Sequence, residues 1–232
     1  MIKDYCIDTE ELEEDVKEEP RKNAVKVSSC PIPEALYNRF KYKLQENSID
    51  CPERNLMIFF IGVATGYRVG DYINLTVGEI KEFLEEGKFI IQESKQYKAW
   101  ETHMFKNPNS KRKPPAKREA IIQPKLRKLL KEYIKGRKKS EYAFESEKYK
   151  GEHVTAKSFS DILRATGEEL KLKHITGHSM RKTYALRLWN EKKDLEFVRK
   201  ALGHRSIETT KYYLGLDNEI KEDASRIADN KL

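Results

Sequence analysis

The sequence of 232 residues predicts an α+β domain that is mostly helical and carries a small antiparallel sheet. Helical periodicity dominates the chain, with apolar residues such as Leu36, Phe40 and Leu44 recurring every four positions. Two short β-like segments, 89–94 and 119–124, lie on either side of a long basic linker and predict a hairpin. Together these patterns predict one domain over residues 31–232.

Boundary residues mark where most of the helices begin and end. Pro33 suits the first position of a helix that runs through Leu44. Asp50 is predicted to cap a second, strongly apolar helix that ends at Gly66. Later helices follow capping residues or end at glycines. Their expected ranges are a short helix near 70–75, then 124–136, 155–170, 177–191, 194–203, a helix from 206 past 213, and a last one near 218–230.

Charge is distributed unevenly along the chain, although the net charge is only +8. Residues 1–20 hold nine acidic and two basic residues, and residues 1–30 are predicted to form a flexible tail. A short helix over 9–18 that docks on a basic face is the alternative. Residues 95–139 hold sixteen basic and three acidic residues, which is typical of a nucleic-acid-binding protein. A solvated surface loop is the other interpretation of this charge.

Composition and missing motifs argue against several functional classes. The mean hydropathy is −0.80 and the longest apolar run, 56–64, has nine residues, so no membrane partner is expected. The acidic start has no apolar signal segment, which predicts a cytoplasmic protein. Three widely spaced cysteines predict reduced thiols. There is no P-loop, GxGxxG or HExxH motif, and His174 and His178 lack a third ligand, so neither a cofactor nor a metal is expected.

Two arginine motifs have spacings that suit phosphate chemistry. In TGYRVGD, Arg68 follows a helix-ending glycine, and Asp71 three residues later is placed to hold it. In HSMR, His178 and Arg181 share one helical face and combine a proton carrier with a fixed cation. A surface ion pair and a chance pairing are the alternative interpretations of the two motifs.

A third motif, LGHRSIETTKYY, places Tyr213 nine residues after His204. A tyrosine hydroxyl is a poor nucleophile unless cations and a proton acceptor surround it, which the arginines and histidines would supply. The alternative is that Tyr212 and Tyr213 are packing aromatics. Lys95, at the end of the first β-like segment, is a candidate proton donor to a leaving alkoxide, and Lys98 is its nearest competitor.

Taken in order, these residues resemble the active site of the phage integrase family of tyrosine recombinases, over roughly residues 33–215. The resemblance implies a mostly helical catalytic domain with a small antiparallel sheet. It also implies site-specific breakage and rejoining of DNA, in which Tyr213 attacks a phosphodiester and forms a 3′-phosphotyrosine link. The family spacing favours Tyr213 over Tyr212.

The resemblance implies a role for each of the other candidates. Arg68 and Arg181 would neutralise charge on the non-bridging oxygens. His178 would accept the tyrosine proton, and Lys95 would protonate the leaving 5′-oxygen. His204 would hydrogen-bond the phosphate.

Two features depart from the family pattern. The short acidic start does not match the helical core-binding domain that precedes the catalytic domain in most members. The basic linker is longer than the connection in the usual hairpin of the family, and we expect its cations to bind DNA phosphates. They are Lys106, Lys111, Arg112, Lys113, Lys117 and Arg118. Deleting 106–118 is therefore expected to weaken DNA binding far more than folding.

Partners and alternative functions also follow from the resemblance. Double-stranded DNA is the expected substrate, and a homo-oligomer, a tetramer on DNA, is expected. Ile220, Ala224 and Ile227 form one apolar face of the last helix, which docks either on a neighbouring protomer or on its own domain. A catalytically silent DNA-binding module and a type IB topoisomerase-like enzyme are the alternative functions.

Overall fold

The computed structural model describes residues 28–230, with the side chains of 217–220 excepted. Helices predominate in this range and the sheet has two strands, so the predicted α+β class is confirmed. A 3-10 turn over Glu34–Leu36 leads into the first helix. The elements are α1 (Tyr37–Glu46), α2 (Pro52–Thr65), α3 (Val69–Tyr72), α4 (Val77–Glu86), β1 (Lys88–Ile91), α5 (Ser94–Lys106), β2 (Arg118–Ile121), α6 (Pro124–Tyr133), α7 (Ala156–Glu169), α8 (Gly177–Lys192), α9 (Leu195–Leu202), α10 (Ile207–Leu214) and α11 (Leu216–Asp229).

Helix α2 forms the centre of the fold, as its nearly continuous apolar sequence predicts. Helices α1, α6 and α8 pack against it. Its first residue is Pro52, but Asp50 does not cap it, since Cys51 holds the N-cap position without a side-chain bond. Gly66 ends the helix in the left-handed conformation, with φ of 66°. This sharp turn carries the chain directly into the first arginine motif.

A second, smaller apolar cluster joins helices α8, α9 and α10. Its buried members are Ala185, Val198 and Leu202, and Tyr213 is among the half-buried residues packed against them. Asp194 caps α9, Gly203 ends it in the left-handed conformation, and Ser206 caps α10. These boundaries agree with the sequence-based expectations.

The sheet is a two-stranded antiparallel hairpin in which Phe89 pairs with Ala120 and Ile91 pairs with Arg118. Both strands end earlier than predicted. The segment between them is not a plain linker, because its first half forms helix α5. Helix α4 was also missed by the sequence analysis. Only 107–117 between α5 and β2 lack helix or strand, and this stretch folds back on α5: Trp100 Nε1 donates to the Arg112 carbonyl at 2.8 Å.

The predicted N-terminal tail falls largely on residues 1–27, which lie outside the described part of the chain. Its last three residues belong to the folded domain. Lys182 Nζ donates to Ser28 Oγ at 2.9 Å, and the hydroxyls of Ser29 and Thr176 are 2.8 Å apart. Cys30 is disulfide-bonded, which differs from the expectation of reduced thiols. Cys51 is a free thiol, as expected.

The predicted last helix is present as α11, and it begins two residues earlier than expected. Leu216 at its start is buried, whereas residues 221–230 are exposed, including Ile227. The exposed residues do not pack on their own domain. Ile220 is among the residues whose side chains are not described. Across 28–230, no helix is both long and apolar enough to span a bilayer.

Candidate active site

The first arginine motif lies where α2 turns into α3. Gly66 redirects the chain, and Arg68 is the N-cap residue of α3. Asp71 is buried on the same short helix, and its Oδ2 lies 4.0 Å from Arg68 Nη1. Asp71 Oδ1 accepts a hydrogen bond from the Ser94 backbone N–H at 2.9 Å. Asp71 thus links the first motif to the start of α5, as well as facing Arg68.

Arg181 is the most deeply buried charged side chain of the site, with 1% of its surface exposed. Its Nη1 donates to the Gly66 carbonyl at 2.7 Å, and its Nη2 donates to the Leu202 carbonyl at 2.6 Å. The Nη1 atom is also 2.7 Å from Glu93 Oε1. Fixed by these acceptors, the guanidinium group has a single orientation relative to α2 and α9.

Glu93 was not singled out by the sequence analysis, yet it lies between the arginines. Its Oε1 is 3.1 Å from Arg68 Nη1 and 3.5 Å from Arg118 Nε, in addition to its contact with Arg181. The pKa of the Glu93 carboxyl is lowered: burial alone would raise it, and the three guanidinium charges outweigh burial. Glu93 is therefore an ionised carboxylate inside the site.

A sequence signal for Glu93 exists in the alternation of β1. Phe89, Ile91 and Glu93 are two residues apart and all buried, so they share the inward face of one extended segment. A glutamate at an inward position requires a buried cation nearby. The β-like pattern of 89–94 predicts a strand, and its alternation would also have placed Glu93 on the buried face.

Tyr213 lies on α10 beside His204, with the ring centroids 5.2 Å apart in an edge-to-face arrangement. Lys182, also missed by the sequence analysis, places its Nζ 5.4 Å from the Tyr213 ring centroid. Burial raises the pKa of Tyr213 to about 12, and the charges of Arg181 and Arg68 oppose that rise. The phenol is therefore neutral at neutral pH.

His204 occupies the turn between α9 and α10 that the sequence predicted. Its Nδ1 is 3.1 Å from Thr210 Oγ1, and Arg199 Nη1 donates to its carbonyl at 2.7 Å. Burial and the nearby charges of Arg181 and Arg68 lower the pKa of His204 to about 4. The imidazole is therefore neutral at neutral pH and presents one donor and one acceptor nitrogen.

Several buried polar atoms of this site have no hydrogen-bond partner. They include Arg181 Nε and the Tyr213 hydroxyl, whereas Arg68 Nη1 makes no hydrogen bond of good geometry but is ion-paired with Glu93. Arg181 is near enough to lower the pKa of Tyr213, but the hydroxyl meets no donor or acceptor at hydrogen-bond geometry. Buried donors are rarely left unsatisfied in folded proteins. An unpartnered Arg181 Nε, the adjacent charge of Arg68 and an unpartnered phenol together favour an anionic ligand with several oxygens.

The two remaining candidates lie at the edges of the site. His178 is exposed in the first turn of α8, one turn before Arg181. Lys95 is exposed in the first turn of α5, so it lies on a helix and not on the strand edge that the sequence predicted. Lys98, one turn further along α5, is exposed as well.

The six predicted DNA-contacting cations separate into two groups. Five are exposed on α5 or on the segment after it: Lys106, Lys111, Arg112, Lys113 and Lys117. Arg118 is different, because only 10% of its side chain is exposed. Its Nη1 donates to the Thr65 and Ala201 carbonyls at 3.0 Å, and its guanidinium carbon lies 3.6 Å from the Tyr67 ring centroid.

Arg118 therefore belongs to the interior of the site and not to an exposed basic surface. Along β2, Arg118 and Ala120 are less exposed than Glu119 and Ile121, so the Arg118 side chain lies on the inward face of the hairpin. Deleting 106–118 would remove this internal contact, so we now expect the deletion to destabilise the fold as well as to weaken DNA binding.

Comparison with known proteins agrees with this geometry. The model of the phage integrase family matches residues 34–219. The chain belongs to the phage integrase family. Its three motifs, Arg68, the pair His178 and Arg181, and the pair His204 and Tyr213, all fall inside the matched range. The predicted resemblance to tyrosine recombinases is confirmed.

Relatives within the phage integrase family differ in how much of their length this chain covers. The probable integrase/recombinase YoeC of Bacillus subtilis (strain 168) is 24% identical over 188 residues, which are 81% of this chain and 87% of YoeC. The tyrosine recombinase XerH of Campylobacter jejuni is 28% identical over 177 residues, 75% of this chain but 45% of XerH. The chain thus spans about half the length of some of its relatives.

Solved structures of the family share the fold. The crystal structure of XerA recombinase superposes with a TM-score of 0.55 at 21% identity, covering 90% of this chain and 66% of XerA. The Tn1549 transposon integrase in complex with transposon right end DNA superposes with a TM-score of 0.60 at 16% identity. That alignment covers 86% of this chain and 67% of the integrase.

Proposed function

We propose that this member of the phage integrase family carries out site-specific DNA recombination, with Tyr213 forming a 3′-phosphotyrosine intermediate. The observation that carries the proposal is the buried Tyr213 hydroxyl, which has no hydrogen-bond partner and lies beside guanidinium groups with unsatisfied donors. A phosphodiester has one reacting phosphorus and two non-bridging oxygens, which match one nucleophile and two cations.

Electrostatics of the arginines explain why phosphate is the favoured ligand. Arg68 and Arg181 lie against one carboxylate oxygen, so their guanidinium groups converge on a small volume. Negative charge grows on the non-bridging oxygens as the phosphorus becomes five-coordinate. Preorganised cations in a site of low dielectric stabilise this charge most strongly in the transition state.

Proton transfer completes the proposed reaction. The Tyr213 oxygen bonds to phosphorus and its proton passes to His178, while the bond to the 5′-oxygen breaks and that oxygen takes a proton from Lys95. His204 is neutral and hydrogen-bonds the phosphate. Rejoining reverses these steps with the 5′-hydroxyl of another strand as nucleophile. Because the energy of the broken phosphodiester bond is kept in the phosphotyrosine link, cleavage and rejoining require no nucleoside triphosphate.

Lys95 must approach the site for this step, since it is exposed on α5 in the DNA-free structure. Besides Lys95 and Lys98, helix α5 and the segment after it carry the five exposed cations of the predicted DNA-contacting set, and we propose that these five contact the duplex beside the scissile phosphate. Phosphates on both sides of the cut would then fix the register of the DNA and bring Lys95 toward its 5′-oxygen.

The proposed active form is a homo-oligomer on DNA, a tetramer in the complete reaction. Strand exchange requires at least two cleaved strands held together, so more than one active site must act at once. The exposed second half of α11, which includes Ile227, is the proposed contact between protomers.

Trapping the covalent intermediate tests the proposal. Nicked suicide duplexes made from the DNA flanking the gene are incubated with the protein, and adducts that survive denaturant are resolved by electrophoresis. Tyr213→Phe should abolish the adduct. Tyr212→Phe is the matched control, because Tyr212 is 72% exposed and should leave the adduct intact.

Two results would contradict the proposal. An adduct that persists in the Tyr213→Phe variant would assign the nucleophile elsewhere. Relaxation of supercoiled plasmids without sequence preference would indicate a topoisomerase instead of a site-specific recombinase.

A further inference from the structure

Glu93 connects elements that carry all three sequence motifs of the site. Its Oε1 contacts Arg68 of the first motif and Arg181 of the second. Its Oε2 accepts a hydrogen bond from Gln96 Nε2 at 2.7 Å, and the same amide donates to the carbonyl of Gly203 in the third motif at 3.2 Å. One buried carboxylate therefore joins the start of α3, the beginning of α8 and, through Gln96, the end of α9 to the start of α5.

Charge balance shows why a carboxylate is needed at this position. Arg68, Arg118 and Arg181 all place a guanidinium nitrogen within 3.5 Å of Glu93 Oε1. Three cations this close together in a buried site repel one another, and burial makes the repulsion stronger than it would be in water. Asp71 contributes a second anion on the Arg68 side, 4.0 Å away. Glu93 is the anion that all three guanidinium groups share.

The contacts of Glu93 leave donors available on the arginines. On Arg181 the carboxylate uses Nη1, while Nε has no partner. Only 3% of the Glu93 side chain is exposed, so the carboxylate is largely closed off from solvent. An ion held in this way orients the cations without occupying every donor that a phosphate needs.

We propose that Glu93 is a positioning residue for DNA cleavage, which holds Arg68 and Arg181 in the arrangement that receives the two non-bridging oxygens of one phosphate. This inference rests on the proposed recombinase function. Glu93 does not touch the substrate and acts through the arginines. The Gln96 bridge extends its effect to the Gly203 turn, and so to the adjacent His204.

The test compares Glu93→Gln, which keeps the shape but removes the charge, with Glu93→Asp, which keeps the charge. Glu119→Gln is the matched control, since Glu119 is an exposed glutamate on the paired strand whose partner is Lys88, outside the site. Single-turnover adduct formation is measured at saturating suicide duplex, and DNA affinity is measured separately by titration.

We expect Glu93→Gln to slow adduct formation at least tenfold while DNA affinity changes less than twofold, because most phosphate contacts lie outside the site. Glu93→Asp should recover part of the rate, and Glu119→Gln should match the parent protein. Parallel loss of rate, affinity and thermal stability would overturn the proposal in favour of a purely structural role. An unchanged or faster rate would overturn it as well, since it would mark Glu93 as dispensable or as a competitor of the phosphate.

A measurement without DNA separates this inference from the proposed function. The arginine Nε–H signals of Arg68 and Arg181 are assigned in a ¹⁵N spectrum by Arg→Lys variants. Both should be sharp in the parent protein and in Glu119→Gln, and broadened in Glu93→Gln. If the parent protein forms no adduct, the proposed function fails, and these signals alone decide whether Glu93 positions the arginines. Unbroadened signals in Glu93→Gln would then contradict the inference.

Discussion

Neutralising the five exposed cations that are predicted to contact DNA, on and after α5, should change the salt dependence of DNA binding by a calculable amount. The perturbation replaces Lys106, Lys111, Arg112, Lys113 and Lys117 with glutamine. Arg118 is left in place, because its guanidinium group is committed to internal acceptors. All five side chains are exposed, so thermal stability should stay within the range of ordinary surface substitutions.

The magnitude follows from counterion release. Each phosphate neutralised on a duplex contributes about −0.9 to the slope of log K against log salt concentration. Five contacts therefore contribute about −4.5, which weakens binding roughly 20-fold for each doubling of salt. The substituted protein should lose this contribution, so its slope should be shallower by about 4 to 5 if every cation contacts a phosphate.

Fluorescence anisotropy titrations with a short duplex, at several salt concentrations, measure this slope. The matched control removes the same charge from exposed lysines of and after α6, a helix that packs on α2 and α4: Lys125, Lys128, Lys131, Lys135 and Lys139. We expect the control to keep most of the slope. Equal slopes for the parent protein and the α5 variant would refute the reasoning, because they would show that these cations remain solvated in the complex.

Three further predictions concern residues that support the site. Gly66→Ala should lower the free energy of unfolding by at least about 1 kcal/mol in urea titrations, because φ there is positive and a Cβ would collide with Tyr184; wild-type stability would contradict this. Arg118→Met should lower the free energy of unfolding by about 2–4 kcal/mol, because the variant loses two hydrogen bonds and the stacking on Tyr67. A loss of DNA affinity without a loss of stability would instead indicate that Arg118 contacts the DNA. Because the pKa of His204 is lowered to about 4, the unfolded chain takes up its proton first as pH falls, so stability should decrease between about pH 6.5 and pH 4. Thermal melts of His204→Gln should lack this component of the pH dependence.

Sequence motifs predicted most of the candidate site because each motif is local. A helix end after Gly66, a one-turn spacing from His178 to Arg181 and a turn at His204 are all properties of short segments. The order of the motifs along the chain then indicated the resemblance to the phage integrase family, and the comparisons confirmed the family. Roles of individual residues in catalysis remain predictions.

Sequence patterns predicted the positions of individual side chains less well where contacts between distant segments determine those positions. Helix α5 was read as a linker because its lysines and aromatics give no apolar stripe, and none of its residues is buried. Arg118 was grouped with its exposed basic neighbours, since its position in the chain does not show which side of β2 it occupies. Lys95 was placed on a strand edge, although it belongs to the first turn of α5.

By itself, the sequence determined the helical class and the hairpin and predicted the candidate site residues, because periodicity, capping and motif spacing act over a few residues. Only the tertiary structure decided that Glu93 and Arg118 join Arg68 and Arg181 in one buried cluster, although they lie 25 and 50 residues from the nearer of those two arginines along the chain. A buried cation needs an anion and acceptors within hydrogen-bond reach, and the chain supplies them from whichever segments its packing brings together.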